Sequence, residues 1–295
     1  MASAILVRAQ QYRAVAEADD ENYYLHVRQE RGVIEDIVHL LKPVFAANIR
    51  CEAAAALCAL ATSSVRREVR GYFCSRRHPK PPTLLSDAAK SSQGRFMLET
   101  LVSMLDDDNT SSAAVRTLRH MSGCDEEIDT VIRVSLLAEP DRVRVLVGML
   151  EQDFKTHSMN EEASGLLWGV LHHPGRPGLN MDRDGSFRAK QASVDRRQLR
   201  DSLMLAGGVR AILGILRAVL TWSRKEPPPA AAFAAGVLSS LTWNSRFDET
   251  HAVVDARAQV TDEGGIPLLV DLICGIDGGA ARLAESALRT RPAPP

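Results

Sequence analysis

The stretch Gly-Gly-Ile-Pro-Leu-Leu-Val-Asp-Leu-Ile at residues 264–273 decides the fold, because its last five residues follow a pattern that recurs along the chain. In this pattern two apolar residues are followed by one spacer and two more apolar residues. That spacing places most of the apolar side chains on one face of a helix. The five copies of the motif are Ile37–Leu41, Leu101–Leu105, Leu146–Leu150, Ile212–Leu216 and Leu269–Ile273.

A second helical segment, rich in Ala and Leu, follows each copy of the motif. Its central leucine lies 13 to 22 residues after the last residue of the motif. We name the two elements the motif helix and the following helix. A shorter helical stretch precedes most motifs, so the repeat unit is predicted to contain three helices. Gly32, Gly208 and Gly265 lie just before three of the motifs, where glycine suits a tight turn between helices that meet at a steep angle. The following helices are predicted at Glu52–Ala61, Ser112–Met121, Glu161–Leu171, Ala230–Leu241 and Ala280–Leu288.

The composition agrees with a helical protein and excludes several classes. Aromatic residues make up only 5% of the chain while Ala and Leu are abundant, and strands favour aromatic and β-branched residues. The formal net charge of -1 excludes a polybasic protein of the histone type. The five cysteines include no Cys-x-x-Cys pair, so we expect neither a disulfide framework nor a zinc ribbon, and we expect a reducing compartment.

These residues resemble the armadillo repeat family. Residues 264–273 are similar to the signature of that family's second helix, and Ala53–Ala61 is similar to its third helix. The resemblance extends over about residues 20–290 and implies an all-α fold, a right-handed α-solenoid of about five three-helix repeats. We expect an N-terminal helical cap at 1–30, the repeat domain at 31–290 and a Pro-rich tail at 291–295.

The spacing of the motifs departs from that family. Successive motifs begin 64, 45, 66 and 57 residues apart, whereas such repeats run about 40–47 residues. Pro and Gly are concentrated in three stretches, which we predict to be inserted loops at 71–83, 174–196 and 224–229. No capping helix is predicted after the last repeat, so its end is either exposed or covered by a partner.

In the family, the third helices line a concave groove that binds extended peptides. Import adaptors of the family use Trp and Asn, four residues apart, at positions that hold neither residue here, so we do not expect binding of nuclear-localisation peptides. The polar pair at these positions, Arg116 and His120, is a candidate partner-binding site. The small residues at the others either let a partner approach or let the following helices pack. The corresponding pairs are Ala55/Ala59, Arg116/His120, Gly165/Gly169, Gly236/Ser240 and Ser286/Thr290.

Three more candidate partner-binding residues lie in or just after two of the following helices. Trp168 lies in the third, and Trp243 and Asn244 come just after the fourth. Tryptophan is prominent in binding hot spots, but it also fills protein cores. Both interpretations remain open from the sequence.

The first insertion adds a basic candidate site. Arg76, Arg77 and Lys80 belong to a basic run in which Tyr72 and Phe73 are interleaved. Such a run can bind RNA or an acidic surface. Because the whole chain is nearly neutral, we expect a solvated loop or an acidic protein partner rather than a nucleic acid.

The sequence offers no catalytic or metal-binding motif, so we expect no enzyme, no cofactor and no metal. It lacks a phosphate-binding Gly-rich loop, a His-Glu-x-x-His pair and a Gly-x-Ser-x-Gly turn. Residues 180–191 partly fit a calcium loop, but the twelfth position is Gln191 instead of the Glu that binds the ion through both oxygens.

Two functions remain for a chain of this kind. The first is a non-catalytic scaffold fixed as a structural subunit in a larger assembly, such as a ciliary axoneme or an organellar complex. The second is a cytoplasmic adaptor that binds a partner peptide or helix in its groove. Both use protein partners and neither needs a membrane span. The matching locations are cytoplasmic, cytoskeletal or ciliary, or an organellar matrix.

Overall fold

The computed structural model describes residues 33–72, 92–122, 126–152, 159–171, 187–221, 228–242 and 256–275, together with positions 7, 10, 11, 13, 14, 284, 285, 287 and 288. Within these residues every regular element is helical and there is no strand. The all-α class is therefore confirmed. The twelve described α-helices are α1 (Val33–Leu40), α2 (Ala47–Tyr72), α3 (Ser92–Ser103), α4 (Asp108–Met121), α5 (Glu126–Leu137), α6 (Pro140–Leu150), α7 (Met159–Leu171), α8 (Phe187–Leu205), α9 (Gly208–Leu220), α10 (Pro229–Thr242), α11 (Ala256–Asp262) and α12 (Gly265–Gly275).

The five apolar motifs and their following segments form helices where the sequence predicts them. The motifs lie in α1 with Leu41 directly after it, in α3 with the short 3-10 helix Met104–Asp106 after it, and in α6, α9 and α12. The first four following segments lie in α2, α4, α7 and α10. Of the fifth, positions 284, 285, 287 and 288 are described, and they are helical.

The chain divides into two compact units, Met1–Ser135 and Leu136–Pro295. In the N-terminal unit the two following helices, α2 and α4, form the most extensive helix pair, while α1 packs on α2 and α3 packs on α4. At the N-terminus, Arg13 Nη1 lies 3.2 Å from Glu52 Oε2 of α2. The large apolar side chains in the core of this unit include Ile37, Leu40, Leu57, Met97, Leu98, Leu101, Leu105 and Leu118.

The C-terminal unit repeats this pairing of helices of the same kind. Its most extensive helix pair is α7 with α10, again two following helices. The motif helix α9 contacts the motif helices α6 and α12. The core contains apolar side chains from all of these helices, including Leu146, Leu150, Leu166, Leu167, Leu199, Leu203, Ile212, Leu216, Leu238 and Leu272.

Two double glycines form the corners that lead into α9 and α12. Gly207 and Gly264 have φ of +86° and +70°, a conformation that strains other residues. Gly208 and Gly265 begin the two helices. A Cβ on Gly208 would lie 2.8 Å from the carbonyl oxygen of Leu203, and a Cβ on Gly265 would lie 2.8 Å from that of Val260. Glycine therefore permits the steep turn that the sequence predicts, and α8 and α9 meet at 72°.

The predicted loop boundaries need three corrections. Residues 187–196, predicted as part of a loop, form the first half of α8. All Pro and Gly residues of the stretch 174–196 precede Phe187, and residues 187–196 include good helix formers. Asp195 of this segment is buried, so the segment packs against the rest of the unit. Gly71 and Tyr72 are the last residues of α2. Pro229 begins α10, because a helix does not need the N–H of its first residue.

Within the described ranges, no single helix is long and apolar enough to cross a membrane. One bent pair, Val194–Leu205 with Gly208–Leu220, meets the length and composition requirements together.

Candidate functional site

The polar pair predicted as a partner-binding site lies on α4. Arg116 is exposed and His120, one turn later, is half-buried. The Sγ atom of Cys58 lies 4.0 Å from the carbonyl oxygen of Arg116, which places the middle of α2 level with Arg116. Ala55 and Ala59, both half-buried, belong to this part of α2. The N-terminal unit therefore presents one surface of small and basic residues on its two following helices, which we name the α2/α4 surface.

A polar cluster joins the same two helices at their N-terminal ends. Asp107 caps α4 by accepting the backbone N–H of Asn109, and Arg50 Nη2 of α2 lies 2.7 Å from Asp107 Oδ2. The bond from Asn109 and then the Arg50 guanidinium hold the pKa of Asp107 below its ordinary value. The Sγ atom of Cys51 donates to the carbonyl of Asn109 over 3.2 Å. Burial raises the pKa of this thiol, which favours the protonated form that donates.

A buried hydroxyl completes the connection between α2 and α4. Thr117 Oγ1 donates to the carbonyl oxygen of Ala54 over 2.9 Å, and it also lies 2.8 Å from the carbonyl of Ala113 in its own helix. A hydrogen bond of this kind contributes about 1 kcal/mol and defines the register of the two helices. The α2/α4 surface is therefore built on a helix pair held by polar bonds at its start and in its middle.

Trp168 lies between the following helices of the C-terminal unit. A Cβ placed on Gly236 of α10 would approach Nε1, Cδ1 and Cε2 of this indole to 2.6, 2.7 and 2.9 Å. The indole also lies against Phe233, with ring centroids 5.6 Å apart and planes tilted by 41°. Gly236, one of the small residues at the family's groove positions, thus allows the helices to pack at this point. Partner binding by the half-buried Trp168 stays a prediction.

Two arginines bind the carbonyl end of α10. Arg200 Nη2 of α8 donates to the carbonyl of Leu241 over 2.6 Å, and Arg257 Nε of α11 donates to that of Thr242 over 3.3 Å. The last carbonyls of a helix lack partners within the helix and carry partial negative charge. These guanidinium groups therefore stabilise the end of α10 and fix α8 and α11 against it.

The remaining predicted partner-binding residues lie outside the described residues. These are Trp243, Asn244, Arg76, Arg77 and Lys80. The same holds for positions 180–186 of the weak calcium-loop candidate, whereas Gln191 lies in α8. Among the residues that the structure describes, no three His, Cys, Asp or Glu side chains are grouped so that they could hold a metal ion.

The structure adds a surface that the sequence reasoning missed, at the last repeat. Ile266, Val270 and Leu288 are exposed there, although the motif pattern assigns Val270 to an apolar stripe. One signal in the sequence could have indicated this surface. Where α9 carries Arg210 and Arg217, the aligned positions of α12 hold Pro267 and Cys274.

No family model matches the chain, and no curated protein matches it. Among solved structures the chain is similar to the crystal structure of an engineered protein, with a TM-score of 0.59 and 20% sequence identity. The match covers 96% of this chain and 89% of the other. At this identity the likeness supports the helical fold alone.

Proposed function

We propose that the chain is a non-catalytic protein-interaction scaffold, built as an α-solenoid of armadillo-type repeats and fixed as a structural subunit in a larger assembly. One observation carries the proposal: within each unit, helices of the same kind pack on one another, as α2 does on α4, α7 on α10, and α9 on α6 and α12. This is the nearest-neighbour packing of stacked repeats, which leaves long rows of side chains for partners.

The exposed apolar residues of the last repeat favour a fixed place in an assembly. Contiguous apolar patches on a protein surface mark sites of association. Ile266 and Val270 lie one turn apart on α12, and Leu288 belongs to the following helix of the same repeat.

Cross-linking mass spectrometry on the protein purified from its source tests this proposal. We expect the chain of 32.2 kDa to be recovered in a complex of at least twice that mass, with the same partners in fixed stoichiometry at low and high salt. Recovery of the chain alone, or with partners that dissociate on dilution, would contradict a structural subunit.

The α2/α4 surface favours a second function, an adaptor that binds an acidic segment of a partner. Arg116 is exposed beside small residues that let another chain approach closely. We expect replacement of Arg116 and His120 by Ala to weaken partner binding at least tenfold without lowering the melting temperature. Arg144→Ala is the matched control, because Arg144 is an exposed arginine that pairs with Asp141 in its own helix. Equal partner affinity of the wild type, the variant with Ala at 116 and 120, and Arg144→Ala would exclude the α2/α4 surface as the binding site.

A further inference from the structure

The last repeat leaves uncovered the face that the preceding repeat buries. Aligning the motifs of α9 and α12 pairs Val209 with Ile266 and Leu213 with Val270, and aligning the central leucines of the following helices pairs Leu238 with Leu288. Val209, Leu213 and Leu238 of the preceding repeat are at most 2% exposed. Their counterparts in the last repeat, Ile266, Val270 and Leu288, are 43%, 45% and 36% exposed. We name Ile266, Pro267, Val270 and Cys274, all on α12, the end face.

The α9–α12 contact shows what normally covers this face. Leu213 Cδ2 of α9 lies 3.1 Å from the position of a Cβ on Gly265, at the start of α12. Arg210 Nη2 lies 3.0 Å from Glu263 Oε1, and Arg217 donates to the carbonyl of Glu263. The helix α12 thus lies over apolar residues of α9. Arg210 and Arg217 of α9 bind Glu263 in the turn that precedes α12.

The chemistry of the end face differs from that of α9 in a way that selects the occupant. Pro267 and Cys274, both exposed, stand where α9 has its two arginines, so the described residues of α12 supply no cation at these positions to hold an acidic turn. Asp271, also exposed, follows Val270 on α12, and the exposed Asp262 ends α11 three residues before α12 begins. An apolar surface bordered by carboxylates is complementary to an apolar helix that carries basic residues along its sides.

We infer that the end face docks an amphipathic helix of a partner protein, whose apolar stripe covers Ile266 and Val270 and whose flanking Lys or Arg residues face Asp262 and Asp271. The inference deepens the proposed function and rests on it, because it names the kind of element that joins the scaffold to its assembly. A second copy of the chain is the alternative occupant, and the alkylation of Cys274 in the native assembly distinguishes it from a partner helix.

A synthetic helical peptide tests the inference on the full chain. The probe is an 18-residue peptide with a leucine stripe flanked by lysines, and its partner probe has glutamates in place of the lysines. We expect fluorescence anisotropy to show at least tenfold tighter binding of the lysine peptide. Val270→Glu and Ile266→Glu should each weaken it at least tenfold. Leu205→Glu, which changes another exposed leucine on α8, should leave the affinity unchanged.

Two results with the peptides would overturn the inference. One is equal affinity for the lysine and glutamate peptides. The other is equal affinity of the wild-type protein and both end-face variants for the lysine peptide. Since Val270 and Ile266 are exposed, the melting temperatures of the variants should match that of the wild-type protein, and two variants guard against the misfolding of one.

Alkylation of the exposed thiol Cys274 extends the test to the native assembly. We expect maleimide to react with Cys274 at least tenfold more slowly in the assembly than in the isolated chain. A stable assembly in which Cys274 reacts at the rate of the isolated chain would overturn the inference and leave the proposed function standing. A chain that forms no stable assembly would overturn the proposed function, and the peptide experiment would then decide the inference alone. Protection by a second copy of the chain would overturn the choice of occupant.

Discussion

In the N-terminal unit, α2 and α4 are joined by a buried hydroxyl and an ion pair, whereas in the C-terminal unit α7 and α10 meet through an indole ring that lies on a glycine. The first contact rests on Thr117 and Asp107, and the second on Trp168 and Gly236. Both join following helices of neighbouring repeats. The polar bonds fix the register of α2 against α4, and the loss of one such bond costs little. The indole packed on Gly236 leaves no room for an added methyl group between α7 and α10. The two units should therefore respond differently to substitution.

The largest expected effect is that of Gly236→Ala. The new methyl group would lie less than 3 Å from three atoms of Trp168, so the indole must move and disturb α7 and α10. We expect the free energy of unfolding in urea to fall by about 1–3 kcal/mol. Gly214→Ala is the control, because nothing lies within 4 Å of its Cβ position, and it should stabilise the helix by about 0.5–1 kcal/mol. Equal effects of the two substitutions would contradict the tight fit.

The corners of the C-terminal unit should be nearly as sensitive. We expect Gly207→Ala and Gly264→Ala each to lower the free energy of unfolding by about 1–2 kcal/mol, because both glycines have positive φ. Gly148→Ala in α6 is the control, since its Cβ position is open and its φ is not positive. If thermal unfolding shows no difference among the three variants, the corners do not depend on glycine.

A smaller loss is expected for the polar contact of the N-terminal unit. Thr117→Val keeps the shape of the side chain but removes the hydroxyl that binds the carbonyl of Ala54, so stability should fall by about 1 kcal/mol. Thr261→Val is the control, because its exposed hydroxyl binds only the carbonyl of Arg257 in the same helix. A loss of 3 kcal/mol or more would contradict a tolerant contact.

The smallest effect concerns pH and Asp107. The pKa of this carboxyl is below its ordinary value of 3.8 in the folded protein, so the unfolded chain binds a proton more readily. The stability that the carboxylate contributes is present above that ordinary value and is lost as the pH falls toward the folded pKa. Asp107→Asn keeps a capping residue but lacks this titration. We expect the stability difference between wild type and variant to shrink between about pH 5 and about pH 3. A difference that is independent of pH would contradict the pKa shift.

The helices could be predicted because their signals are local. A motif such as Ile212–Leu216 and an Ala-rich segment such as Ala230–Leu241 indicate a helix from spacing alone, and both lie in helices. The predicted loop at 174–196 extends too far, into α8, because the Pro and Gly residues that indicate a loop lie only between 174 and 185. Proline and glycine interrupt a helix only near their own positions, so the segment from Phe187 onward was free to form one.

The candidate surfaces were less predictable. Arg116 is a candidate because it shares a position with a groove residue of the armadillo family, and the structure places it at the surface. The sequence left open whether the small residue Gly236 serves a partner or the packing of helices. Only the position of Trp168, 68 residues earlier in the chain, decides that it serves packing.

The residue pattern was sufficient for the all-helical class, the order of motif and following helices and the glycine corners, because each depends on residues within a few positions of one another. Tertiary structure alone decided which apolar residues are covered. Leu213 and Val270 occupy the same place in the same motif, yet one is buried under α12 and the other is exposed. Burial depends on what lies against a helix, and the periodicity of the helix itself carries no record of that neighbour.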